Sequence, residues 1–552
     1  MNSAASARFF SRHGLWWPLS LFAAALLIYL PFLGNPFVFD DPDFSSADIA
    51  RHYTQAIFHF GLRWLSHASL GGTYGMFGGV SSAPFHFVNT LLHGINVILL
   101  FYLLQQLLGA VIDEHRESTA INWSAWFAAL IFACHPVAVY AVGYIVQRSI
   151  LMATLFALVM QLAWLRGLLT GQKRWLLLAV TAYFLAVFSK EHSVLSPTIL
   201  IAMTILLRAK CQISRSALWF TGCAFAAVGL LLVLSSKGVL GSQYESFAYL
   251  RLEQYGLVAS TPMLHLLSVL TQAGLFFKYL LLWALPNPAW MSVDMRGHFL
   301  TSLAEWQGWV GALGFILYGV VAYRLLLRPR WIGLAGLALL YPWLQFWVEL
   351  SSIRVQEPFV LYRSYLWMPG LALLVPWLLS RLALITVTGL PGRKTLLILA
   401  GTVLLLVSLA WNRLWVFRDN YRLWNDAVML MPNEQVAGAD RIFFNRGQAA
   451  DLARRWDDAI ADYQRAVALS PQLAPMRYAL GMAYAKSRQF QQALTQLDVA
   501  ITLQPEVPMG YYGKGLVLMQ LHQRELALQH LEKSCELGLP QACSMAAQMA
   551  LP

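Results

Sequence analysis

Apolar runs close to the length of a membrane-crossing helix, about 20 residues, recur from residue 15 to residue 412. They fall at 15–34, 85–108, 123–145, 149–169, 175–189, 193–208, 217–235, 264–285, 306–327, 331–349, 362–384 and 394–412. Two of them, 175–189 and 193–208, are short and separated only by Lys190-Glu191-His192, as half-helices or tilted spans at a buried site would be. The pattern predicts an all-α, polytopic membrane domain of about 11–12 spans over residues 1–412. Asn35 to Pro84 form a long first external loop, opening on Asp40-Asp41-Pro42-Asp43 and closing on a Gly-rich stretch. Between Ala47 and Ser69 its apolar and polar residues alternate at helical spacing, which predicts a helix lying on the membrane surface.

Beyond Trp424 the pattern changes, with more Gln, Asp, Glu and Arg, and the sequence begins to repeat. Gly447, Gly481 and Gly515 are spaced by 34 residues, as are Ala459, Ala493 and Ala527, and Leu469, Leu503 and Leu537. Pro471 and Pro505 close the first two units. Small residues in fixed columns let paired helices approach closely, and Pro ends the second helix of each pair. This is the tetratricopeptide pattern. It predicts a linker at 413–440 and an α-solenoid at 441–552, with Pro540 to Pro552 as the capping helix. Such arrays take peptides or proteins in a concave groove; a purely structural tail is the alternative.

Composition agrees with a membrane body. Of 552 residues, 58% are hydrophobic and only 12% charged, against about a quarter charged in soluble chains. The net charge of +12 does not mark a nucleic-acid surface, because the cations fall in short clusters between apolar runs. Arg8/Arg12, Arg166/Lys173/Arg174, Arg208/Lys210/Arg215, Arg324/Arg328/Arg330 and Arg393/Lys394 read as cytoplasmic loops. Straight alternation satisfies the first three and fails at Arg324–Arg330 unless one run between 217 and 285 does not cross. The expected topology is then an uncleaved signal anchor with a cytoplasmic N-terminus, a bacterial inner-membrane body and a periplasmic repeat domain. Cys134, Cys211 and Cys223 read as packing residues. Cys535 and Cys543 flank a predicted helix–turn–helix, where an oxidising compartment would let them pair.

Ionisable groups at membrane depth are costly and mark candidate chemistry. Adjacent Asp40 and Asp41, at the external end of the first run, can serve as a general base or bind a cation; a solvated loop start is the competing reading. His86, Asn89, His93 and Asn96 form one polar stripe, of which His86 lies nearest the external end. His135-Pro136 and Arg148 bracket a turn, Lys190-Glu191 separate the two short runs, and Arg363 stands among Tyr362 and Tyr365. Cations on the external face beside tyrosines suit a lipid phosphate. No nucleotide-binding glycine motif, zinc motif or Ser-His-Asp cue is present, and a periplasmic site has no nucleotide sugar to draw on.

Taken in order, these landmarks carry a resemblance. Phe37-Val38-Phe39-Asp40-Asp41, Pro84-Phe85-His86-Phe87-Val88-Asn89, His135-Pro136-Val137, Tyr144-Ile145-Val146-Gln147-Arg148, Ser189-Lys190-Glu191, Thr271-Gln272, Arg363-Ser364-Tyr365 and Trp424-Asn425-Asp426 stand in this chain. The whole chain resembles the bacterial relatives of the transmembrane-and-tetratricopeptide O-mannosyltransferases, of the GT-C glycosyltransferase class. The resemblance implies transfer of a sugar from a polyprenyl-phosphate carrier to a hydroxyl of a periplasmic acceptor, a protein recruited by the repeats. It implies Asp41 or Asp40 as catalytic base, with Asp41 preferred. Arg148, Lys190 and Arg363 become the expected donor-phosphate ligands, and His86, Glu191, Tyr365 and His135 the expected site lining. No motif calls for a divalent metal, although one is compatible with the carboxylates. The chain departs from the family at Tyr140 and at Leu361-Tyr362, where acidic or His residues are usual, so the mannosyl label does not transfer with the fold. Transfer to a lipid or glycan acceptor, transfer of a preassembled oligosaccharide, and a non-catalytic scaffold for envelope assembly are the rival expectations.

Overall fold

The computed structural model describes residues 14–112, 118–235, 252–257, 260–355, 357–382 and 391–550. Arg8, Arg12 and His13 of the basic start lie outside these residues. So do the last two positions of the run 362–384 and the last two of the expected cap. Two compact units are present, one of Met1–Met291 with His298–Asp419, the other of Ser292–Gly297 with Asn420–Pro552.

The described part of the first unit is helical. Its elements are α1 (Trp16–Tyr29), α2 (Ala47–Gln55), α3 (Trp64–Phe77), α4 (Ala83–Val111), α5 (Ser118–Cys134), α6 (Val139–Val142), α7 (Arg148–Thr170), α8 (Lys173–Ser189), α9 (Pro197–Leu206) and α10 (Arg215–Ser235). They continue with α11 (Thr261–Ala284), α12 (Trp306–Leu326), α13 (Arg330–Phe346), α14 (Met368–Ala372), α15 (Leu374–Arg381) and α16 (Arg393–Val416). Among the described residues, seven helices are long and apolar enough to cross a membrane. They are Ala83–Val111, Ile145–Thr170, Arg215–Ser235, Thr261–Ala284, Trp306–Leu326, Arg330–Ser351 and Arg393–Val416. The pair Thr119–Cys134 and Pro136–Val142, bent by 50°, makes up to 8.

Five of the expected spans are therefore shorter or interrupted: 123–145 is the bent pair, and 175–189 forms the 17-residue helix Lys173–Ser189. The runs at 15–34 and 193–208 form the shorter helices Trp16–Phe32 and Glu191–Leu206. Around 362–384 the chain turns through a 3-10 segment, Leu361–Leu366, before α14 and α15. Lys190 adopts an extended backbone (φ −154°, ψ 126°) that ends α8 and starts the 3-10 turn Glu191–Leu195. These breaks carry charged side chains, and that is where the candidate site forms.

Buried amides and imidazoles hold the bundle together. His93 Nδ1 lies 2.7 Å from Tyr365 Oη, and Asn96 Nδ2 donates to Leu151 O at 3.0 Å. Inside an apolar bundle such bonds fix which helix faces meet. By contrast, α10, α12 and α16 turn large apolar side chains outward, among them Trp219, Trp309, Leu313 and Leu404. Apolar surface on that scale needs lipid or a partner to cover it. The middle of the segment expected as the first external loop folds as two helices, α2 and α3, which pack on each other.

The second unit contains α17 (Asn420–Met429), then the pairs α18 (Ala439–Leu452) with α19 (Trp456–Leu469), α20 (Ala474–Lys486) with α21 (Phe490–Leu503), and α22 (Pro508–Gln520) with α23 (Arg524–Glu536), and ends on α24 (Pro540–Ala550). Residues 413–440 are thus no open linker, since α16 ends at Val416 and α17 packs against α18. The 34-residue period is a packing period. A Cβ on Gly447, Gly481 or Gly515 would come within 2.8 Å of Tyr463, Leu497 or Leu531, themselves 34 residues apart. Ala459, Ala493 and Ala527 are fully buried. Each pair turns on a left-handed residue in the same column: Arg454, Arg488 and His522. Ser292–Gly297 joins this unit through Asp294, which accepts from Arg296 at 2.6 Å and from Arg441 Nε at 3.0 Å. Cys535 and Cys543 form a disulfide with Cα atoms 4.7 Å apart, tying α23 to α24.

In the first unit α12 and α13 touch backbone to backbone at Gly336, where a Cβ would sit 2.1 Å from Leu326 N. Gly336→Ala is expected to cost about 1–3 kcal/mol, the usual range for overpacking. Gly401→Ala, at a position with nothing within 4 Å, is expected to be silent. Melting curves of the detergent-solubilised protein check the pair, and equal melting temperatures would contradict the close approach.

Candidate functional site

Four breaks in the helices converge on one region of the first unit: the Phe39–Asp41 turn, the start of α3, the Lys190 break, and the segment from Glu349 to Tyr365. In the first, Phe39 is left-handed (φ 52°), a conformation that costs a non-glycine residue about 1–2 kcal/mol. Its ring stacks near Tyr144 at 6.2 Å. The half-buried Asp41 is held at both oxygens. Val38 N donates to Oδ2 at 2.9 Å and Val146 N to Oδ1 at 2.7 Å. Asp40 is exposed, and its backbone N–H donates to Tyr144 Oη at 3.0 Å. Of the two adjacent carboxylates, Asp41 pins the turn and Asp40 faces outward.

Arg148 is fully buried at the start of α7. Its Nε donates to Asn89 Oδ1 at 2.9 Å, Nη1 to Ser69 O at 2.9 Å and Thr73 Oγ1 at 2.8 Å, and Nη2 to Phe85 O at 3.1 Å. Each arm of the guanidinium is committed to α3 or α4, so Arg148 is a strut here rather than an open phosphate ligand. Arg363 is also committed: Nη1 lies 3.1 Å from Glu349 Oε2, with Glu357 Oε2 at 3.8 Å from Nη2.

Lys190 differs from Arg363 in having no carboxylate in contact among the described residues, and from Arg148 in making fewer hydrogen bonds. It is 3% exposed, and its Nζ donates to two neutral oxygens, Gln147 Oε1 and Ser149 Oγ, both at 3.3 Å. The ammonium also stands 5.2 Å from the centre of the Tyr362 ring. Tyr362 in turn lies 6.3 Å from Tyr144, whose hydroxyl meets Asp40. Two tyrosines therefore stand between the Asp40 backbone and a buried cation that has no carboxylate in contact among the described residues. Burying a charge without a counter-ion is expensive, so this is where an anion would be most favoured.

The remaining expected site residues are distributed as follows. Glu191 lies beside Lys190 and forms a two-pronged ion pair with Arg63, with Nε to Oε2 at 2.8 Å. His86, His135 and Tyr365 pack the bundle instead of lining the site. His86 Nε2 donates to Asn35 O at 2.9 Å. His135 stacks on Trp283 at 4.3 Å and its Nδ1 accepts from Val137 N. Tyr365 is buried against His93 and Asn96. Sequence assigned no site role to Tyr144 or His192, which it marked only within motifs, and did not mark Arg63, Glu349 or Arg354. One cue was available, because Glu349 is a lone carboxylate at the end of an apolar run.

The comparisons bear on the second unit. Residues 441–473 match a family model described as tetratricopeptide repeat, and residues 478–538 match a second with the same description. The chain therefore carries tetratricopeptide repeats over 441–538, a module that generally mediates contact with other proteins. No curated protein matches the chain. Among solved structures it is similar to YrrB, "a TPR protein with an unusual peptide-binding site". The identity is 21% over 31% of this chain and 87% of that one, with a TM-score of 0.22. It is also similar to the APC/C hetero-tetramer Cut9-Hcn1, at 13% identity over 99% and 98% of the two chains, with a TM-score of 0.24. Scores this low carry no argument about fold or partner.

Asp41 supplies a pH test. Burial pushes its carboxyl up to about 8, against the Val38 and Val146 N–H bonds that pull it down, and the neighbouring Asp40 raises it further. The folded chain then holds this proton more tightly than the unfolded chain, where the value is 3.8. Its contribution to stability is complete below about pH 4, is lost as pH rises to about 8, and is flat above. Asp41→Asn is expected to reduce the fall in melting temperature between pH 4.5 and 8.5. Identical slopes in the two proteins would refute the assignment.

Proposed function

We propose that the chain is an integral membrane glycosyltransferase of the GT-C kind, moving a sugar from a polyprenyl-phosphate donor to an acceptor hydroxyl on the external face. The observation that carries this reading is the buried Lys190 ammonium, with two neutral oxygens as its partners among the described residues, and with Tyr362 and Tyr144 between it and the backbone of the exposed Asp40. An anion seat and an accessible carboxylate in one region are what transfer from a lipid phosphate requires.

Asp40 takes the proton of the acceptor hydroxyl as that oxygen attacks the anomeric carbon. The bond from the anomeric carbon to the phosphate oxygen breaks, and its electron pair stays on the phosphate. Lys190 stabilises the charge that develops there. Asp41 holds the Phe39–Asp41 turn in place, and Arg148 holds α3 and α4 around it. This assignment exchanges the roles that sequence gave the two aspartates, because Asp41 has both oxygens occupied by backbone N–H groups.

The long apolar helices and outward-facing aromatic residues support a bilayer as the setting. The Cys535–Cys543 disulfide supports an oxidising compartment for the repeats, since such bonds persist outside the cytosol. Tetratricopeptide repeats support a protein as the acceptor or its escort.

In membranes charged with polyprenyl-phosphate mannose or polyprenyl-phosphate glucose, Asp40→Asn is expected to lower transfer about 10²–10⁴-fold, the range for a lost general base. Asp41→Asn should cost less, and Lys190→Met should also abolish most turnover. Glycan mass spectrometry of exported proteins provides the readout. Full transfer by Asp40→Asn would overturn the assignment of the base. Silence of both Asp40→Asn and Lys190→Met beside a defect on deleting the repeats would favour a scaffold.

A further inference from the structure

The ion pair between Arg63 and Glu191 occupies an informative place. Arg63 enters α3 in a left-handed conformation (φ 59°), which costs a non-glycine residue of order 1–3 kcal/mol at sites where it persists. Its guanidinium makes both of its bonds to the Glu191 carboxylate. The Arg63 side chain is 42% exposed and that of Glu191 23%, and a pair so placed stabilises a fold by about 1 kcal/mol at most. Strain of that size for a bond of that size is poor structural economy, so the pair calls for a different explanation.

The surroundings supply one. Glu191 follows Lys190 directly, so its carboxylate is the anion nearest in sequence to a buried cation that has none in contact. On its other side, Glu191 Oε1 lies 3.4 Å from His192 Nδ1, and His192 Nε2 lies 3.3 Å from Glu349 Oε1. Glu349 Oε2 accepts from Arg363. The groups run Arg63, Glu191, His192, Glu349, Arg363, with the His192 ring standing between the two carboxylates. Glu191 thus has a second partner to turn to when Arg63 leaves it.

We propose that Arg63 is the second cation of the phosphate seat and that Glu191 is a built-in competitor that holds its fork until a phosphate displaces it. This rests on the reading of Lys190 as the phosphate ligand. An arriving phosphate takes the Arg63 fork through two oxygens, a geometry that guanidinium matches and ammonium does not. Lys190 acts beside it as a point charge, and Glu191 turns to His192. The exchange favours the leaving group over the donor. A polyprenyl-phosphate sugar is a phosphodiester with one negative charge, whereas the released polyprenyl phosphate is a monoester with close to two. A cation recruited as that second charge appears stabilises the later stages of transfer more than the ground state.

The test is calorimetric titration of the full-length protein in detergent micelles with farnesyl phosphate, and with inorganic phosphate as the headgroup alone. Glu191→Gln is expected to bind farnesyl phosphate about ten-fold more tightly and Arg63→Gln about ten-fold more weakly. The double variant should behave as Arg63→Gln does. Arg63→Lys should recover only part of the loss. Glu191→Asp, which shortens the competitor and keeps its charge, should tighten binding by a smaller factor. Unchanged or weaker binding in both Glu191 variants overturns the competitor, and unchanged binding in Arg63→Gln overturns the second cation. Loss of binding in Lys190→Met with no change in the Glu191 variants rejects this inference alone. Full binding in Lys190→Met rejects the underlying reading of the seat. Tightening seen with farnesyl phosphate and not with inorganic phosphate assigns the site to a lipid monoester; equal tightening assigns it to the phosphate group in general.

Discussion

The guanidinium of Arg148 is fully buried, and the segment between α1 and α4 is arranged around that fact. A buried cation with neutral partners survives only if all its donors are met together, because each unmet group costs about 1–3 kcal/mol. Its acceptors come from two directions, Ser69 and Thr73 on α3 and Phe85 and Asn89 on α4. The loop between α1 and α4 is thereby fastened at its far end to α7. Its near end is fastened two residues before Arg148, where Val146 N–H holds Asp41. Moving α7 would move Asp41, α3 and Arg63 together. A loop that would otherwise be a long external excursion becomes a rigid wall, and rigidity of this kind is what a site built on loops needs.

Against that wall, the cations described at the site divide into those paired with carboxylates and two, Arg148 and Lys190, whose hydrogen-bond partners are neutral, Arg148 with the fuller set of bonds. Arg363 and Arg354 share Glu349, at 3.1 and 3.6 Å. Arg63 has Glu191, in a partly exposed pair. Taking both members of the buried Arg363–Glu349 pair out of water costs several kcal/mol per ion, which their attraction recovers only with close geometry. A cluster of this density is therefore weak evidence for stability and better evidence for a task. Lys190 sharpens the point, since evolution of a stable bundle alone would replace it with an apolar residue of similar volume.

How much of this could be read from sequence follows from how locally each feature is encoded. The repeats are legible because their period is written in small residues whose packing partners recur at the same period, Gly447 against Tyr463, Gly481 against Leu497, Gly515 against Leu531. Asp40, Asp41 and Lys190 are legible because they interrupt apolar runs. Arg148 was visible as a charge, yet its partners are two carbonyls and three neutral side chains scattered over Ser69 to Asn89, none of which announces itself. Arg63 sits in a loop where an arginine is unremarkable in pattern, and only the fold of α2 and α3 brings it to Glu191. The span count was the least legible property. Runs such as 362–384 are apolar enough to cross, but their backbone turns at Leu361–Leu366 and again before Leu374 to carry Arg363 to Glu349.

Two adjacent aspartates look redundant in a sequence, and the geometry shows why they are not. Consecutive side chains in an extended or tightly turned segment point in different directions, so a carboxylate that binds inward obliges its neighbour to face outward. Asp41 binds Val38 and Val146 inward. Phe39, forced left-handed and placed near Tyr144, sets the turn, and Asp40 is left exposed with its backbone N–H on the Tyr144 hydroxyl. A base for the proposed reaction must be accessible to an acceptor and fixed to within a fraction of an ångström. One carboxylate cannot be both exposed to an arriving acceptor and turned inward onto backbone N–H groups. Splitting the two demands between neighbouring residues meets both, and it makes the pair, rather than either aspartate, the unit on which the proposed chemistry depends.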